Sequence, residues 1–275
     1  MSEPIGLVTS AASEKLLVGR RTEHVPTPWG DAPIELGTIG GRDAAVVLRY
    51  GQKLTTPSHK INYRANAYAL RALGVRRVIS QNAIGSVNPA IRPGDIVVSH
   101  DVLDRTKSRP LSMFDEEECW VRVDMTHPFC PDVRRVLIDA ACAHSDRVIE
   151  RGVFCCTEGP RFETPAEIRA LQIEGGDIVG TPLVPEVVFA RELEMCFASL
   201  APVINFGAGM APAVTHFGPG SMNDLYYTGG LHALIETILE QAFKAMPATF
   251  GCACGKALEH GFHGTRPAWL TRMGG

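Results

Sequence analysis

The pattern of apolar and polar residues is clearest between residues 60 and 86. From Lys60 to Leu73 the apolar positions fall three or four apart, the spacing of one buried helical face, and Gly74 is placed to end the helix. Val75–Ile79 then forms a short apolar run typical of a buried strand. A polar, glycine-containing turn at 81–86 follows that strand, at the edge where an open α/β sheet usually binds its ligand.

Other parts of the chain repeat this alternation of apolar runs and amphipathic segments. The pattern predicts strands at Ile5–Val8, Ala44–Leu48 and Ile96–Val98, and a core strand through Met195–Leu200 that ends in the segment 203–209. It also predicts helices that begin at Pro165 and Pro185, and a closing helix between Tyr227 and Met246. No linker or repeat divides the chain. We therefore expect one α/β domain over residues 1–250 and a tail over residues 251–275 that contains a C-x-C motif.

Composition narrows the class of protein. The chain has 275 residues, of which 45% are hydrophobic and 21% charged, as in an ordinary globular protein with a sizeable core. The net charge of −3 carries no basic excess, which argues against nucleic acid or a membrane surface as a partner. No apolar run approaches twenty residues and the first residues lack a signal-peptide pattern, so we expect a cytoplasmic protein.

The eight cysteines raise the question of a metal site. Most of them, including Cys142 and Cys196, lie inside apolar runs, where cysteine behaves as a small hydrophobic residue. Cys252 and Cys254 could be grouped with the nearby His260 and His263 as zinc ligands, but C-x-C spacing is poor for a zinc knuckle. The sequence alone therefore predicts no metal and leaves the redox state of the C-x-C motif open.

Several motifs resemble those of one enzyme family. Four motifs are similar to motifs of the trimeric purine nucleoside phosphorylases: P-x-H-x-I-N-Y-R-A-N (57–66), N-A-x-G (82–85), P-G-D-I-V (93–97) and D-R-T (104–106). T-E-G-P-R-F-E-T-P-A-E-I-R (157–169) and V-P-E-V-V-F-A-R-E (184–192) resemble the methylthioadenosine/methylthioinosine phosphorylase branch. The likeness runs from about Ile5 to Ala257 and implies a single domain with a central mixed β-sheet flanked by helices.

The resemblance also implies a reaction and an assembly. Inorganic phosphate, as co-substrate, would cleave the N-glycosidic bond of a purine nucleoside through a sugar transition state that carries positive charge. Such catalysis depends on positioning and electrostatics, and requires neither a metal nor an organic cofactor. The family relatives are homotrimers, and the loops at Asp104 and Arg122 correspond to regions near a neighbouring subunit.

The resemblance assigns phosphate binding to residues at the ends of two strands. Arg49 matches the arginine of the family sequence Arg-His-Gly, with Tyr50 in place of the histidine, and Asn82 matches an asparagine that contacts phosphate. A planar guanidinium suits a phosphate. The ordinary alternative for Arg49 is a surface ion pair at the end of its strand.

Two other phosphate groups of the family are changed in this chain. The hydroxyl of the family's Gly-Gly-Ser/Thr-Gly turn falls on Ala11, so that Ser10 or Ser13 could supply it only if the turn has shifted. Pro182 stands where the family has a threonine that bonds phosphate, and proline offers neither a hydroxyl nor an amide hydrogen. We therefore expect phosphate to bind weakly.

The nucleoside would be held by residues from five segments, according to the same resemblance. Ala83 would contact the sugar and phosphate through its backbone, Phe162 would stack on the base, and Thr181 takes the position of a methionine under the ribose. Arg122 takes the position of a histidine that approaches the 5′ end of the sugar from the neighbouring subunit. The resemblance to the methylthio-nucleoside branch implies a 5′-modified, methylthioinosine-like nucleoside, whereas a cation at this position favours a polar or anionic 5′ group. The sequence does not decide the 5′ substituent.

Asn205 and Gly207 decide the predicted base. Adenine-handling relatives have Asp-x-Asp at this strand end, whereas this chain has Asn205 and Gly207. An amide can donate to a 6-oxo group and accept from a protonated N7, which predicts a 6-oxopurine and makes Asn205 the catalytic residue that stabilises the departing base. A buried structural asparagine is the alternative.

Two other functions stay open at this stage. A weakened phosphate pocket would suit a nucleoside hydrolase, in which water replaces phosphate, or a nucleoside-binding protein without catalysis. The Gly- and Pro-rich segment 210–224 contains His216 and is typical of a loop over a site.

Overall fold

A computed structural model describes residues 3–211 and 218–273, so that His216 lies outside the described residues. The strands in chain order are β1 Ile5–Thr9, β2 Val18–Val25, β3 Ala32–Ile39, β4 Arg42–Leu48, β5 Arg77–Gln81, β6 Ile84–Ser86, β7 Ile96–Val98, β8 Asp101–Arg105, β9 Cys119–Val121, β10 Val148–Ile149, β11 Val153–Thr157, β12 Ile178–Gly180, β13 Cys196–Phe206 and β14 Phe262–Gly264. The helices are α1 Tyr63–Ala72, α2 Pro131–Cys142, α3 Pro165–Ile173, α4 Leu183–Glu192, α5 Met222–Thr228, α6 Leu231–Ala245 and α7 Ala268–Arg272, with short 3₁₀ helices at Ser58–Lys60 and Cys254–Lys256.

A large mixed sheet forms the centre of the domain, as predicted. Its main path runs β2-β3-β4-β1-β5-β13-β6-β12-β11-β8, with β7 joined to β13 and β10 joined to β7. The central strands β4, β1, β5 and β13 pair in parallel, whereas β2–β3, β3–β4 and β6–β12 pair in antiparallel fashion. The parallel centre explains why β1 and β5 are buried along their whole length, because helices cover both faces of such strands.

Helices cover the sheet on its two faces. The α1 and α4 helices pack together on one face, over a core cluster that includes Leu70 and Phe189. The α2 and α6 helices pack together over a second cluster that includes Leu137 and Ile238. The amphipathic spacing in the sequence therefore corresponds to real buried faces.

The two ends of α1 agree with the local sequence signals. The side chain of Asn62 caps the helix by accepting a hydrogen bond from the backbone N–H of Ala65 at 3.2 Å. Gly74 follows the helix with φ of +83°, a left-handed conformation that glycine adopts without strain. The predicted cap of α3 is also confirmed, since Thr164 and Glu167 form a complete capping box.

One element prediction differs from the structure. The predicted closing helix between Tyr227 and Met246 is two helices, α5 and α6, because Gly230 between them has a left-handed φ of +83° and interrupts the helical backbone. The core strand predicted from Met195 through the segment 203–209 is confirmed as β13, which ends at Phe206; β6 and β7 supply the pairing partners for its second half. Among the helices described, none has the length and apolar content that crossing a bilayer requires.

Residues after 250 fold back onto the domain. Strand β14 pairs with β9 in a separate two-stranded sheet. On α7, Trp269 packs in an aromatic cluster with its ring centroid 5.2 Å from that of Phe114, 5.7 Å from that of Trp29 and 5.9 Å from that of Tyr68.

Candidate active site

Two predicted site residues lie where the parallel central strands end. Arg49 directly follows β4, and its backbone N–H donates to the carbonyl of Thr9 at the end of β1 (3.0 Å). Asn82 follows β5, and its N–H donates to the carbonyl of Leu200 in β13 (3.1 Å). The carboxyl edge of a parallel sheet is where ligands of α/β proteins usually bind.

Arg49 is engaged in a buried, bidentate ion pair with Glu186. The Arg49 Nε donates to Glu186 Oε1 at 2.9 Å and Nη2 donates to Oε2 at 3.0 Å. Nη1 donates to the Gln81 carbonyl at 2.9 Å, and Nη2 also approaches the Val8 carbonyl at 3.3 Å. Only 1% of the Arg49 side chain is exposed, so that a ligand would reach the guanidinium only after a rearrangement. Arg49 therefore forms an ion pair, but in the interior of the domain and not at the surface as the alternative interpretation supposed.

The ion pair also determines the charge state of the arginine. Burial by itself lowers the pKa of Arg49, but the Coulombic attraction and hydrogen bonds of the Glu186 carboxylate outweigh it, and the net pKa is raised. Arg49 is thus always charged, and its charge is balanced by a carboxylate in direct contact.

Ser80 connects this ion pair to Asn82. The Ser80 hydroxyl donates to Glu186 Oε2 at 2.9 Å and accepts from both Arg49 Nη2 and Asn82 Nδ2, each at 3.0 Å. Asn82 is 3% exposed, and its Oδ1 has no hydrogen-bond partner within the described part of the chain. A buried amide oxygen without a donor is rare and marks a position where a ligand or water hydroxyl can bind.

Tyr50 and Thr181 lie together beside the ion pair. The Tyr50 phenol hydrogen-bonds the Thr181 side chain, and burial raises the pKa of Tyr50 while the Arg49 charge offsets part of that rise. The phenol therefore stays protonated and can act as a donor at neutral pH. Thr181 also accepts a hydrogen bond from the Arg109 guanidinium through its carbonyl, which fixes the turn before α4.

The turn after β1 already holds an anionic group of the protein. Ser13 donates to Glu236 on α6 through its backbone N–H (2.9 Å to Oε1) and its hydroxyl (2.7 Å to Oε2). Ser10, the predicted phosphate residue, is half-buried in the same turn. The Thr9 hydroxyl donates to Gln81 Oε1 at 2.7 Å, which links this turn to the end of β5.

Asn205 lies near the end of β13, with a half-buried side chain. Its Nδ2 donates to the neighbouring Phe206 carbonyl at 2.7 Å. Gly85 on β6 lies against this amide, because a Cβ on Gly85 would be 3.3 Å from Asn205 Nδ2. At Gly207 a Cβ would be only 2.9 Å from Ile168 Cδ1, so that only the Gly207 backbone is available for a ligand.

The remaining predicted residues lie on outer loops. Ala83 is half-buried in the turn after Asn82. Phe162 is 51% exposed in the loop between β11 and α3, an unusual exposure for a phenylalanine. Arg122 is exposed next to β9, where its guanidinium lies 4.7 Å from the centre of the Trp120 ring and its backbone N–H donates to the Gly261 carbonyl at 2.8 Å.

Sequence reasoning missed four side chains of this region. Glu186 was part of a quoted motif but had no assigned role, and Ser80 and Gln81 read as ordinary residues of a buried strand. Glu236 carried no signal, because its partner Ser13 is 223 positions away in the chain. Only the tertiary fold brings these groups together.

Comparisons with known proteins agree on one family. A model of the Phosphorylase superfamily matches residues 7–222. The chain is 48% identical to a 6-oxopurine nucleoside phosphorylase of Pyrococcus furiosus, over 70% of this chain and 75% of that protein. It is 42% identical to a probable S-methyl-5'-thioinosine phosphorylase of Methanothermobacter thermautotrophicus, over 84% and 79%. The crystal structure of a methylthioadenosine phosphorylase from an antarctic soil metagenomic library superposes with a TM-score of 0.85 at 27% identity, over 98% and 94%.

The ion pair predicts a large loss of stability when one partner is neutralised. We expect Glu186→Gln to lower the free energy of unfolding by about 3–5 kcal/mol, because the Arg49 charge would remain buried without a counter-charge. The double variant Arg49→Met with Glu186→Gln should lose less than the sum of the two single variants. Urea unfolding measures all three.

The exposed pair Arg161–Glu167 provides the matched control, since its side chains are 59% and 43% exposed. Arg161→Ala should change the free energy of unfolding by less than about 1 kcal/mol. An equally small loss in Glu186→Gln would contradict the structural role of the buried pair.

Proposed function

The chain belongs to the Phosphorylase superfamily, and from this membership we propose that it is a pentosyltransferase that cleaves the N-glycosidic bond of a 6-oxopurine nucleoside with phosphate. Two kinds of relative support the choice of base. The Pyrococcus protein is named a 6-oxopurine nucleoside phosphorylase and the Methanothermobacter protein a probable S-methyl-5'-thioinosine phosphorylase. The single observation that carries the proposal is the amide of Asn205 near the carboxyl end of β13.

The amide of Asn205 acts on the leaving base. Its NH₂ group donates to the 6-oxo oxygen, and its carbonyl accepts from a protonated N7. As the bond between sugar C1′ and purine N9 breaks, the bonding electron pair moves onto the purine, and hydrogen bonds at O6 and N7 stabilise that developing charge. Phe162, in the exposed loop before α3, stacks on the base, and the Gly207 backbone lies below it.

Phosphate or an equivalent nucleophile attacks the opposite face of C1′. We assign its contacts to the Tyr50 phenol and the turn at Ser10 as donors and to Asn82 Oδ1 as acceptor of a hydrogen bond from a hydroxyl of the nucleophile, with Arg49 behind them. No metal or organic cofactor is needed, because the protein supplies only position and electrostatic stabilisation.

Charge balance makes this nucleophile pocket unusual. The guanidinium of Arg49 is paired with Glu186, and the donors of Ser13 are paired with Glu236. Arg49 and the donors of Ser13, which would otherwise attract phosphate, thus already contact carboxylates of the protein. This pairing of donors with carboxylates favours weak phosphate binding. It also favours a second candidate function, a nucleoside hydrolase in which water attacks C1′ beside Asn82.

We further propose that the protein is a cytoplasmic homotrimer of purine salvage, in which Arg122 reaches the 5′ end of a sugar bound by the neighbouring chain. The exposed guanidinium of Arg122, stacked on Trp120, has no carboxylate among its described contacts. It therefore suits a polar 5′ group better than a thioether.

The base assignment predicts a preference that one substitution should reverse. The wild-type protein should turn over inosine-type nucleosides faster than adenosine-type ones. Asn205→Ala should lower kcat/KM for inosine about tenfold to a hundredfold, which corresponds to a hydrogen bond to a developing charge of about 1.5–3 kcal/mol. Asn205→Asp should move the preference toward adenosine, because a carboxylate accepts from the 6-amino group. Equal turnover of both bases by the wild-type protein would refute the assignment.

The paired carboxylates predict an unusual phosphate dependence. Inosine cleavage by the wild-type protein should require phosphate in the millimolar range or proceed without it, since each missing hydrogen bond to the anion costs about 1.5–3 kcal/mol. Glu236→Gln should lower the half-saturating phosphate concentration several-fold, because it removes a negative charge from the Ser13 turn. Glu240→Gln, one helical turn further along α6 and paired with Lys244, should leave it unchanged.

The sugar product separates the two candidate reactions in the same assay. Sugar 1-phosphate identifies a phosphorylase and free sugar identifies a hydrolase. Micromolar phosphate binding by the wild-type protein in calorimetry would overturn the weak-phosphate prediction.

The shared site predicts an oligomer with functional complementation. Light scattering should give the mass of three chains. Refolded mixtures of Arg122→Ala and Asn205→Ala chains should recover activity that neither variant has alone, because some sites then combine an intact Arg122 with an intact Asn205. A monomer at micromolar concentration would count against the assembly, and mixtures no more active than the average of the two variants would count against a site shared between chains.

A further inference from the structure

Four cysteines from three parts of the chain meet in the interior. Cys130, Cys196, Cys252 and Cys254 place their Sγ atoms all within 4.8 Å of one another. Three of the side chains are buried and that of Cys252 is half-buried. Two of the four belong to the C-x-C motif, which the sequence could group only with nearby histidines.

The spacing of the sulfur atoms is close to that of a tetrahedral metal site. Zinc binds four thiolates at about 2.3 Å, which places the sulfur atoms about 3.8 Å apart. Cys196 Sγ and Cys252 Sγ are 3.4 Å apart, and the largest separation in the group is within 4.8 Å. Each sulfur would therefore move by less than about 1 Å to bind one central ion.

The backbone positions of the four residues are fixed by other contacts. Cys130 is the N-cap of α2, and its N–H donates to the Phe197 carbonyl at 2.8 Å, next to Cys196. The N–H of Cys252 donates to Asp132 Oδ2 in the first turn of α2 at 3.0 Å. Cys254 begins a short 3₁₀ helix. A preformed arrangement of this kind favours metal binding, because little chain entropy is lost.

A neighbouring cation suits the negative charge of a four-thiolate site. The positive charge of Arg191 lies close enough to the Cys254 thiol to interact with it electrostatically. Arg191 Nε is buried and has no hydrogen-bond partner among the residues that the structure describes. A thiolate is an acceptor of the right charge for this donor.

We propose that Cys130, Cys196, Cys252 and Cys254 bind one Zn²⁺ ion in a tetrahedral structural site. Binding forms four Zn–S bonds and releases the four thiol protons to solvent, with no change of oxidation state. The ion joins the segment after α6 to the start of α2 and the start of β13. That segment continues to Gly261, whose carbonyl holds Arg122, and to β14, which pairs with β9. The metal thus stabilises the edge of the domain that presents Arg122, while taking no part in catalysis.

The competing chemistry is oxidation of the same thiols. Two disulfides would need two sulfur pairs at about 2.0 Å, and would form in an oxidising compartment, whereas reducing conditions leave thiols for a metal. Cys142 is exposed and lies outside the group. Its replacement therefore serves as a control for the loss of a cysteine that is not part of the proposed site.

The test measures metal content by mass spectrometry on protein purified without a metal-affinity step under reducing conditions. The wild-type protein and Cys142→Ser should contain about one zinc per chain, and Cys252→Ser and Cys254→Ser should contain much less. These tail residues are chosen because replacing Cys130 or Cys196 in the core risks misfolding, and circular dichroism checks that each variant is folded. Cobalt exchanged into the wild-type protein should give the absorption of tetrahedral tetrathiolate coordination, and Cys254→Ser should lose it.

Three outcomes would overturn the proposal. The first is a metal-free wild-type protein whose eight cysteines all react as thiols after unfolding. The second is the presence of disulfides among the four residues in protein prepared without oxidant. The third is an equal zinc content in Cys254→Ser and the wild-type protein. Iron in place of zinc would overturn the assignment of the ion. Removal of zinc by a chelator should also lower the melting temperature of the wild-type protein and leave that of Cys254→Ser unchanged.

Discussion

The buried ion pair between Arg49 and Glu186 is the interaction on which the candidate site depends. It joins the end of β4 to the start of α4, and the same guanidinium reaches backbone carbonyls of β1 and β5. In an interior of low dielectric constant, such a pair is tolerated only when geometry and hydrogen bonding are nearly complete, and Ser80 supplies an additional hydrogen bond to Glu186. The position of three strand ends relative to one helix is thus set by a single pair of charges.

Because these charges cancel, the polar groups that remain for a ligand are neutral. They are the amides of Asn82 and Asn205, the Tyr50 phenol and the hydroxyls of the β1 turn. Neutral donors and acceptors can hold a 6-oxopurine and a sugar well, since each can be matched by a hydrogen bond of the substrate. They hold a free anion less well, because they supply no net positive charge to replace its hydration. The proposed site is therefore better suited to the nucleoside than to an anionic nucleophile.

The sequence could predict those features that depend on local spacing. The helix after Asn62, the cap at Thr164, the buried strand before Asn82 and the α/β class all follow from periodicity and turn residues. The family motifs located Arg49 and Asn205 at strand ends. They could not show that Arg49 forms a buried ion pair with Glu186, because the burial of this side chain depends on how α4 packs over it.

Contacts between distant positions account for the rest. Glu236 and Ser13, or Cys130 and Cys252, are far apart in the chain and have no common pattern. The break between α5 and α6 at Gly230 was missed because the apolar spacing continues across it, while the left-handed backbone does not. Periodicity records which faces are buried and gives no information about which partner covers them.

The aromatic cluster around α7 gives the molecule a spectroscopic property. Of the three tryptophans, Trp29 and Trp269 lie with ring centroids 5.7 Å apart in an edge-on arrangement, whereas Trp120 is 53% exposed beneath the Arg122 guanidinium. Trp269 is buried and Trp29 is half-buried, so that this pair should emit at shorter wavelength than the solvent-exposed Trp120. Intrinsic fluorescence therefore has two separable components. The short-wavelength component, from Trp29 and Trp269, reports whether α7 is packed on the domain. The long-wavelength component, from Trp120, reports changes around Arg122.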